Sequence, residues 1–141
     1  MATDAILDSS VFVALVTPEK YSEWASKKLQ NYEYFHVLDL SFYEVANAIE
    51  HKVPDELDAK DAAIAFKRVE KMMNLNAVHS FPEVVTDSLK KAIDLKITVY
   101  DAAFLSLADK LKMPFLTLDI KLAKSLEGTK YNELTEYPNK T

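Results

Sequence analysis

The sequence predicts an α/β fold in which a central parallel sheet of four or five strands is flanked by helices on both faces. Short apolar runs alternate along the chain with segments of helical periodicity, an order typical of parallel sheets. The first run, Ala5-Ile6-Leu7, contains no polar residue, as expected for a strand buried on both faces. The chain has 141 residues, 49% of them hydrophobic, so it can bury one core, and we expect a single domain over residues 1–141.

The predicted strands are short, and each of the first four is followed by a helical segment. The C-terminal tail offers a fifth strand, at the edge of the sheet, near Leu134. The four predicted strands cover residues 5–7, 34–38, 77–79 and 114–118.

Capping residues and apolar periodicity place the helices. Thr17 and Pro18 are suited to the N-cap and first position of a helix, and Pro54 and Pro82 are suited to helix starts as well. The segment 100–111 is apolar on nearly every face, which predicts a buried central helix. The predicted helices cover about residues 17–29, 41–51, 54–73, 82–93, 100–111 and 120–126.

The composition excludes several classes of protein. The absence of cysteine excludes disulfides, thiol catalysis and cysteine-bound zinc, and a single glycine, Gly128, excludes Gly-rich phosphate loops. The formal net charge of −5 argues against a module that binds nucleic acid mainly by neutralising phosphates, but not against a nuclease whose carboxylates hold a cation. No apolar run has the length of a membrane span and residues 1–4 contain no basic leader, so we expect a cytoplasmic protein.

Two acidic residues follow predicted strands. Asp8 ends the first strand and Asp119 ends the fourth. The carboxyl ends of parallel strands share the edge where functional crevices form. Each residue also has an ordinary alternative, because an Asp after a strand commonly caps the next helix. For either residue alone both interpretations stay open.

Two more acidic residues lie near predicted helix starts. Glu44 could complete a capping box with Ser41, and for Glu44 alone this ordinary role is favoured. Asp101 has Thr98 as a cap-like neighbour, but Phe104 and Leu105 on its helix face are apolar and no basic residue lies within a turn. A buried carboxylate without a partner costs several kcal/mol or takes up a proton, and a metal ion would meet this need.

Together the four carboxylates predict a cation site at one edge of the sheet. Mg²⁺ and Mn²⁺ prefer carboxylate oxygens and water as ligands. We therefore predict a site for Mg²⁺ or Mn²⁺ at this edge of the sheet.

Three segments, in this order, carry a distinctive pattern: residues 6–15 (ILDSSVFVAL), 40–49 (LSFYEVANAI) and 99–119 (VYDAAFLSLA followed by MPFLTLD). They resemble PIN-domain ribonucleases, whereas residues 52–97 match this family only as helices. Among small PIN proteins the chain is most similar to the VapC-type toxins of prokaryotic toxin–antitoxin pairs.

The resemblance implies a Mg²⁺- or Mn²⁺-dependent endoribonuclease that leaves 5′-phosphate and 3′-hydroxyl ends. It also implies an RNA substrate, a small antitoxin partner and a homodimer, with the amphipathic helix over residues 57–73 as a candidate antitoxin surface. Ser10 and Thr117 match small hydroxyl positions of the family; their alternatives are an N-cap and a β-branched strand residue. Residues that match the family's acidic positions are Asp8, Glu44, Asp101 and Asp119. We expect them to hold one or two ions, with Asp8 and Asp101 as the closest ligands and the other two binding directly or through water.

Two other functions stay open: a housekeeping RNA-processing PIN nuclease, and a catalytically weak module that only binds an antitoxin. We expect His36, His51 and His79 to be isolated strand or surface residues. Lys121 and Lys124 could meet an RNA phosphate at the rim, although a solvated face is favoured. The sequence identifies no surface of exposed aromatic residues on which bases would stack.

Overall fold

Five parallel strands form one sheet in the computed structural model, which describes residues 3–141 and leaves Met1 and Ala2 outside the described residues. The strands are β1 (Asp4–Leu7), β2 (Tyr34–Leu38), β3 (Ala77–His79), β4 (Phe115–Leu116) and β5 (Thr135–Glu136). They lie in the order β3-β2-β1-β4-β5, and every neighbouring pair is parallel. The predicted α/β fold is confirmed, with five strands.

Seven α-helices and one 3₁₀ turn accompany the strands within residues 3–141. They are α1 (Ser9–Val16), α2 (Ser22–Leu29), α3 (Leu40–Glu50), α4 (Ala59–Asn74), α5 (Val85–Leu95), α6 (Val99–Leu111) and α7 (Ile120–Ser125), and the turn covers Phe81–Glu83. Over the same residues, no helix combines the length and the apolar character that crossing a membrane requires.

The sheet separates two apolar cores, because successive strand residues point to opposite faces. In β1, Ala5 and Leu7 pack with residues of α1, α2, α3 and α4, whereas Ile6 packs with residues of α5, α6 and α7. Burial on both faces explains why β1 is an unbroken apolar run from Ala5 to Leu7. All residues from Ala102 to Ala108 of α6 are buried, as the sequence predicted for this helix.

The predicted helix start at Thr17 is wrong, and α1 was not predicted. Thr17 ends α1 instead of capping the next helix, because its hydroxyl donates to the carbonyl of Val13 at 2.9 Å. The following helix, α2, begins at Ser22, whose hydroxyl accepts the amide of Glu19.

The predicted start of the longest helix at Pro54 is also wrong. Residues 51–56 form turns, and α4 begins only at Ala59. Asp58 is its N-cap, since the Asp58 carboxylate accepts the amide of Asp61 at 2.7 Å. A carboxylate acceptor one residue before the helix supplies a stronger start than the proline.

Candidate active site

Asp8 lies where β1 ends, and hydroxyl groups hold its carboxylate in place. Thr117, just beyond β4, donates to Asp8 Oδ2 at 2.7 Å, and Ser10 donates to the same oxygen at 2.8 Å. Thr117 Oγ1 also accepts the amide of Asp119, and Ser10 Oγ accepts the amide of Leu118, each at 3.0 Å. Ser10 lies inside α1, so its N-cap alternative is wrong. The pairing of β1 with β4 thus unites residues that are 109 positions apart.

The charge on Asp8 is unfavourable in this position. Burial raises the pKa of Asp8 to about 6, although the hydrogen bonds from Thr117 and Ser10 act to lower it. The negative charges of Asp101 and Asp119 raise this pKa further. Asp8 is therefore a desolvated carboxylate whose charged neighbours are also acidic.

Glu44 faces the same edge of the sheet from α3. Ser9, the first residue of α1, donates its hydroxyl to Glu44 Oε1 at 2.7 Å. Burial raises the pKa of Glu44 to about 6, the Ser9 hydrogen bond opposes this rise, and the charges of Asp8 and Asp101 add to it. Glu44 therefore belongs to the same electrostatic group as Asp8.

Asp101 and Asp119 line a common cleft beside α6 and α7, of about 520 Å³. Thr98, the N-cap of α6, accepts the amide of Asp101 at 3.0 Å. Burial raises the pKa of Asp101, the Thr98 hydroxyl opposes this rise, and the charge of Asp119 adds to it. We call this concavity the acidic cleft, and its lining residues are Lys96, Ile97, Thr98, Asp101, Asp119, Lys121, Leu122 and Ser125.

The four carboxylates, which we call the acidic site, act on one another without a neutralising group. Within residues 3–141 no Lys, Arg or His forms an ion pair with Asp8, Glu44, Asp101 or Asp119. Hard divalent cations take such carboxylate oxygens, so the chemistry of the donors fits Mg²⁺ or Mn²⁺. In the same part of the chain no group of three Asp, Glu or His side chains is already arranged around a metal position. An ion would therefore need water or small side-chain movements to complete its ligand shell.

The domain model that matches this chain is the PIN domain, over residues 5–125. The chain belongs to the PIN-domain family. It is 36% identical over 120 residues to Ribonuclease VapC3 of Pyrobaculum aerophilum, an alignment that covers 84% of this chain and 92% of that protein. The family predicted from the three sequence segments is confirmed.

Two solved structures share the architecture of this PIN domain. A toxin–antitoxin complex from Klebsiella pneumoniae matches with a TM-score of 0.71 at 13% identity, over 97% of this chain and 99% of that chain. The crystal structure of PAE2754 from Pyrobaculum aerophilum matches with a TM-score of 0.66 at 24% identity, over 92% and 83%. At these identities the likeness concerns the fold alone.

The acidic residues of this PIN domain differ in whether their side chains cap a helix. Asp119 does cap α7, since its Oδ1 accepts the amide three residues later at 3.0 Å. Asp8 occupies the N-cap position of α1 but makes no capping hydrogen bond through its side chain. The capping-box alternative for Glu44 is wrong, because Asp39 caps α3 and Glu44 bonds to Ser9 instead.

Sequence reasoning missed two contributors to the site. Ser9 was passed over in favour of Ser10, although consecutive residues of a helix point in different directions and the pair could serve two carboxylates. Lys96 was not considered, yet it lines the acidic cleft together with Lys121, one of the two lysines proposed for the rim.

The prediction that the histidines are isolated is wrong for two of them. The rings of His36 and His79 approach to 2.9 Å between Nδ1 and Nε2. His36 also contacts Asp4 at 3.0 Å, and His79 contacts Glu83 at 3.2 Å. The register between β2 and β3 brings these rings together, and nothing in the sequence reports that register. His51 is exposed, as predicted.

Proposed function

We propose that this PIN domain is a Mg²⁺- or Mn²⁺-dependent endoribonuclease. The observation that carries the proposal is the acidic site, in which burial raises the pKa of Asp8 and of Glu44 to about 6 while no protein cation within residues 3–141 pairs with either. Strongly perturbed carboxylates that cluster at a sheet edge are typical of functional sites, because such an arrangement destabilises the protein unless a ligand compensates it. The sequence relationship to a ribonuclease supports the same activity.

A divalent ion held by Asp8, Glu44, Asp101 and Asp119 would lower the pKa of a bound water and support negative charge on the phosphate. The chain's own residues orient the ligands. Ser10 and Thr117 both engage Asp8 Oδ2, and neither contacts Oδ1, which leaves that oxygen for a ligand. Ser9 orients Glu44 in the same way.

Phosphates of the RNA would be received by lysines of the acidic cleft. Lys96 and Lys121 line this cleft beside Asp101 and Asp119. Both signs of charge therefore occur in one concavity: carboxylates to hold a cation and ammonium groups to attract the RNA backbone. The two lysines offer RNA phosphates a local positive charge even though the net charge of the whole chain is −5.

Two measurements test the activity. Calorimetric titration with Mn²⁺ should show binding to the wild type and a large loss of binding to the Asp8→Asn/Asp101→Asn variant. Single-stranded RNA should be cleaved in Mg²⁺ or Mn²⁺, giving 5′-phosphate ends, and the double variant should be inactive. Metal-dependent cleavage that persists unchanged in the double variant would show that the acidic site is not the active site.

We also propose that the protein is the cytoplasmic toxin of a toxin–antitoxin pair, a homodimer inhibited by a small antitoxin. The exposed side of α4 supports a partner surface, since Ile64 is 43% exposed there and is surrounded by basic side chains. Those basic residues are Lys60, Lys67, Arg68 and Lys71. The fold of a chain in a toxin–antitoxin complex covers nearly the whole of this protein.

The partner proposal is tested with the product of the neighbouring reading frame. That product should bind in a titration, inhibit RNA cleavage, and bind more weakly to Ile64→Asp. Light scattering of the free protein should give twice the mass of one chain. Cleavage without a binding neighbour would favour the housekeeping RNA-processing nuclease, and binding without cleavage would favour the interaction module.

A further inference from the structure

An apolar pocket of about 150 Å³ lies next to the first turn of α6. Its floor includes Leu38 and Val84, which are 1% and 4% exposed. Its polar lining groups are already engaged: the Asp39 carboxylate accepts the amides of Leu40 and Phe81. The Ser88 hydroxyl, also in the lining, donates to the carbonyl of Val84. The pocket therefore suits a ligand that presents an apolar face to it and keeps its own hydrogen-bonding groups in solvent.

Two exposed aromatic side chains line this pocket. Phe81 is 64% exposed and Tyr100 is 62% exposed, values that are high for large apolar rings. A third, Tyr43, is 81% exposed and lies one helical turn after Leu40, which also lines the pocket. The sequence analysis found no such aromatic surface, because these residues come from three different elements.

The first turn of α6 separates the apolar pocket from the acidic cleft. Tyr100 lines the pocket, whereas the adjoining residue Asp101 lines the cleft. Their Cα atoms are about 3.8 Å apart, the distance between consecutive residues. Tyr43 likewise directly precedes Glu44. Each exposed tyrosine is therefore the sequence neighbour of a carboxylate of the acidic site.

We propose that the apolar pocket, with Phe81 and Tyr100 as its stacking surface, receives one unpaired base of the RNA, adjacent to the phosphate that is cleaved. The proposal rests on the ribonuclease function proposed above. Lys96 and Lys121 line the acidic cleft together with Asp101 of the first turn of α6, so an RNA strand whose phosphates they contact would pass this turn. Aromatic rings stack on any base, and they can do so only where the base is not already paired.

A base fits the pocket better than a second copy of the chain does. A volume of about 150 Å³ accommodates one ring system, so a partner protein could insert only a single side chain. The lysines that would contact an RNA backbone line the acidic cleft, which Thr98 and Asp101 at the start of α6 also line. The apolar stripe that a second copy would cover runs along α5 from Val85, which also lines the pocket, to Leu89 and Ile93, which are 54% and 68% exposed and do not line it.

The test combines protein variants with RNAs that lack one base. A single-stranded RNA of defined cleavage position is made with an abasic nucleotide at each position in turn. For wild-type protein, one position next to the cleavage point should raise KM about tenfold, the loss expected for one base stacked on an aromatic ring. Tyr100→Ala and Phe81→Ala should raise KM for the intact RNA by a similar factor with little change in kcat.

The decisive comparison is between the rise in KM caused by the abasic nucleotide and the rise caused by Tyr100→Ala, which should not combine. Tyr100→Ala should show no further rise in KM with the abasic RNA, because both changes remove the same contact. Tyr100→Phe should restore the wild-type KM, since the ring and not the hydroxyl stacks. Ile93→Ala is the matched control, an exposed apolar residue of α5 outside the pocket, and it should leave KM unchanged.

The possible failures are distinguishable. Wild-type protein that cleaves no RNA in Mg²⁺ or Mn²⁺ would overturn the proposed function and the role of the pocket together. Cleavage in which no abasic position matters, or in which the two losses multiply, would overturn the role of the pocket alone. Light scattering could also show that the Tyr100→Ala variant is monomeric while no abasic position changes KM. This result would assign the pocket to a second copy of the chain and would also overturn the proposal.

Discussion

Two groups of carboxylates in this protein have pKa values that are shifted in opposite directions. In the acidic site, burial raises the pKa of Asp8 to about 6. In a second group, which we call the Lys91 cluster, Asp87 and Asp109 flank the ammonium of Lys91. The hydrogen bond from Lys91 lowers the pKa of Asp87; burial acts to raise that of Asp109, but hydrogen bonds from Lys91 and Lys112 outweigh it and lower it as well.

The pKa values of the two groups shift in opposite directions because the Lys91 cluster contains a cation that pairs with its carboxylates. Lys91 is only 8% exposed, and burial opposes its charge, yet the bonds to Asp87 and Asp109 outweigh burial and raise the pKa of Lys91. The Lys91 cluster therefore neutralises itself and joins α5 to α6. The acidic site has no such cation within the described residues, and we propose that a metal ion supplies the positive charge there. A group that is costly without a ligand indicates function, whereas a self-neutralised group indicates structure.

The largest expected effect comes from removing charge from the acidic site. Asp8→Asn with Asp101→Asn should lower the rate of RNA cleavage by about a thousandfold, because an ion at an active site supplies several kcal/mol of transition-state stabilisation and each 1.4 kcal/mol is tenfold. Single-turnover kinetics in Mn²⁺ measures the loss. Asp87→Asn, a carboxylate of the Lys91 cluster, is the matched control and should cleave normally. Equal losses in both variants would mean that the two clusters do not differ in function.

Lys91→Met should produce the largest loss of stability. It leaves Asp87 and Asp109, whose side chains are 50% and 23% exposed, without their shared cation. We expect a cost of about 2 kcal/mol, below that of a fully buried ion pair because solvent screens these carboxylates. The free energy of unfolding from urea denaturation measures the effect. Lys90→Met, its exposed neighbour on α5, should change stability by less than about 0.5 kcal/mol. A Lys91→Met protein as stable as the Lys90→Met protein would show that the cluster contributes nothing.

The general layout of the acidic site was predictable, because strand ends on one sheet edge are a consequence of the apolar pattern alone. Asp8 and Asp101 could be selected from the sequence, the first by its position after a strand and the second by its apolar helix face. The order of the strands, and hence the contact between Thr117 and Asp8, required the fold itself, since the family resemblance indicated these residues without showing that they touch.

Other features were not predictable because they depend on distances between elements. The Lys91 cluster joins residues 18 apart on two helices whose packing a single sequence does not define. The aromatic surface was missed for the same reason: Phe81 and Tyr100 belong to different elements and meet only in the fold. Helix starts were mistaken where a nearby hydroxyl or carboxylate, such as that of Asp58, caps the helix better than the proline used to predict it.

The same substitution should have opposite effects on stability in the two groups. The folded pKa of Asp8 is raised above its ordinary value of 3.8, so its contribution to stability is present below about pH 4 and is lost as the pH rises through about 6. Asp8→Asn should therefore stabilise the metal-free protein, by about 2 kcal/mol at about pH 7.5, after allowance for partial hydration. The folded pKa of Asp109 is lowered, so its contribution is present above its ordinary value and is lost as the pH falls through the folded pKa.

Asp109→Asn should accordingly destabilise the protein at about pH 7.5, and both effects should shrink as the pH falls toward 4. Urea denaturation of EDTA-treated protein at a series of pH values measures both variants side by side. Effects of the same sign in the two variants would contradict the distinction between a costly functional group and a self-neutralised structural one.

Thr117→Val tests how far the fold tunes the acidic site through a single hydroxyl, and its expected effect is the smallest. The variant removes the bond to Asp8 Oδ2 and the acceptor for the amide of Asp119, at nearly unchanged volume. The rate should fall by about tenfold, as for residues that orient metal ligands. Because the Thr117 hydrogen bond lowers the pKa of Asp8, its loss should also move the acid limb of the rate–pH profile to higher pH.

Thr135→Val removes another fully buried hydroxyl, one that donates to the carbonyl of Tyr131, so it should lower stability and leave the pH profile in place. A profile that shifts equally in both variants, or in neither, would show that Thr117 supports the fold without tuning Asp8.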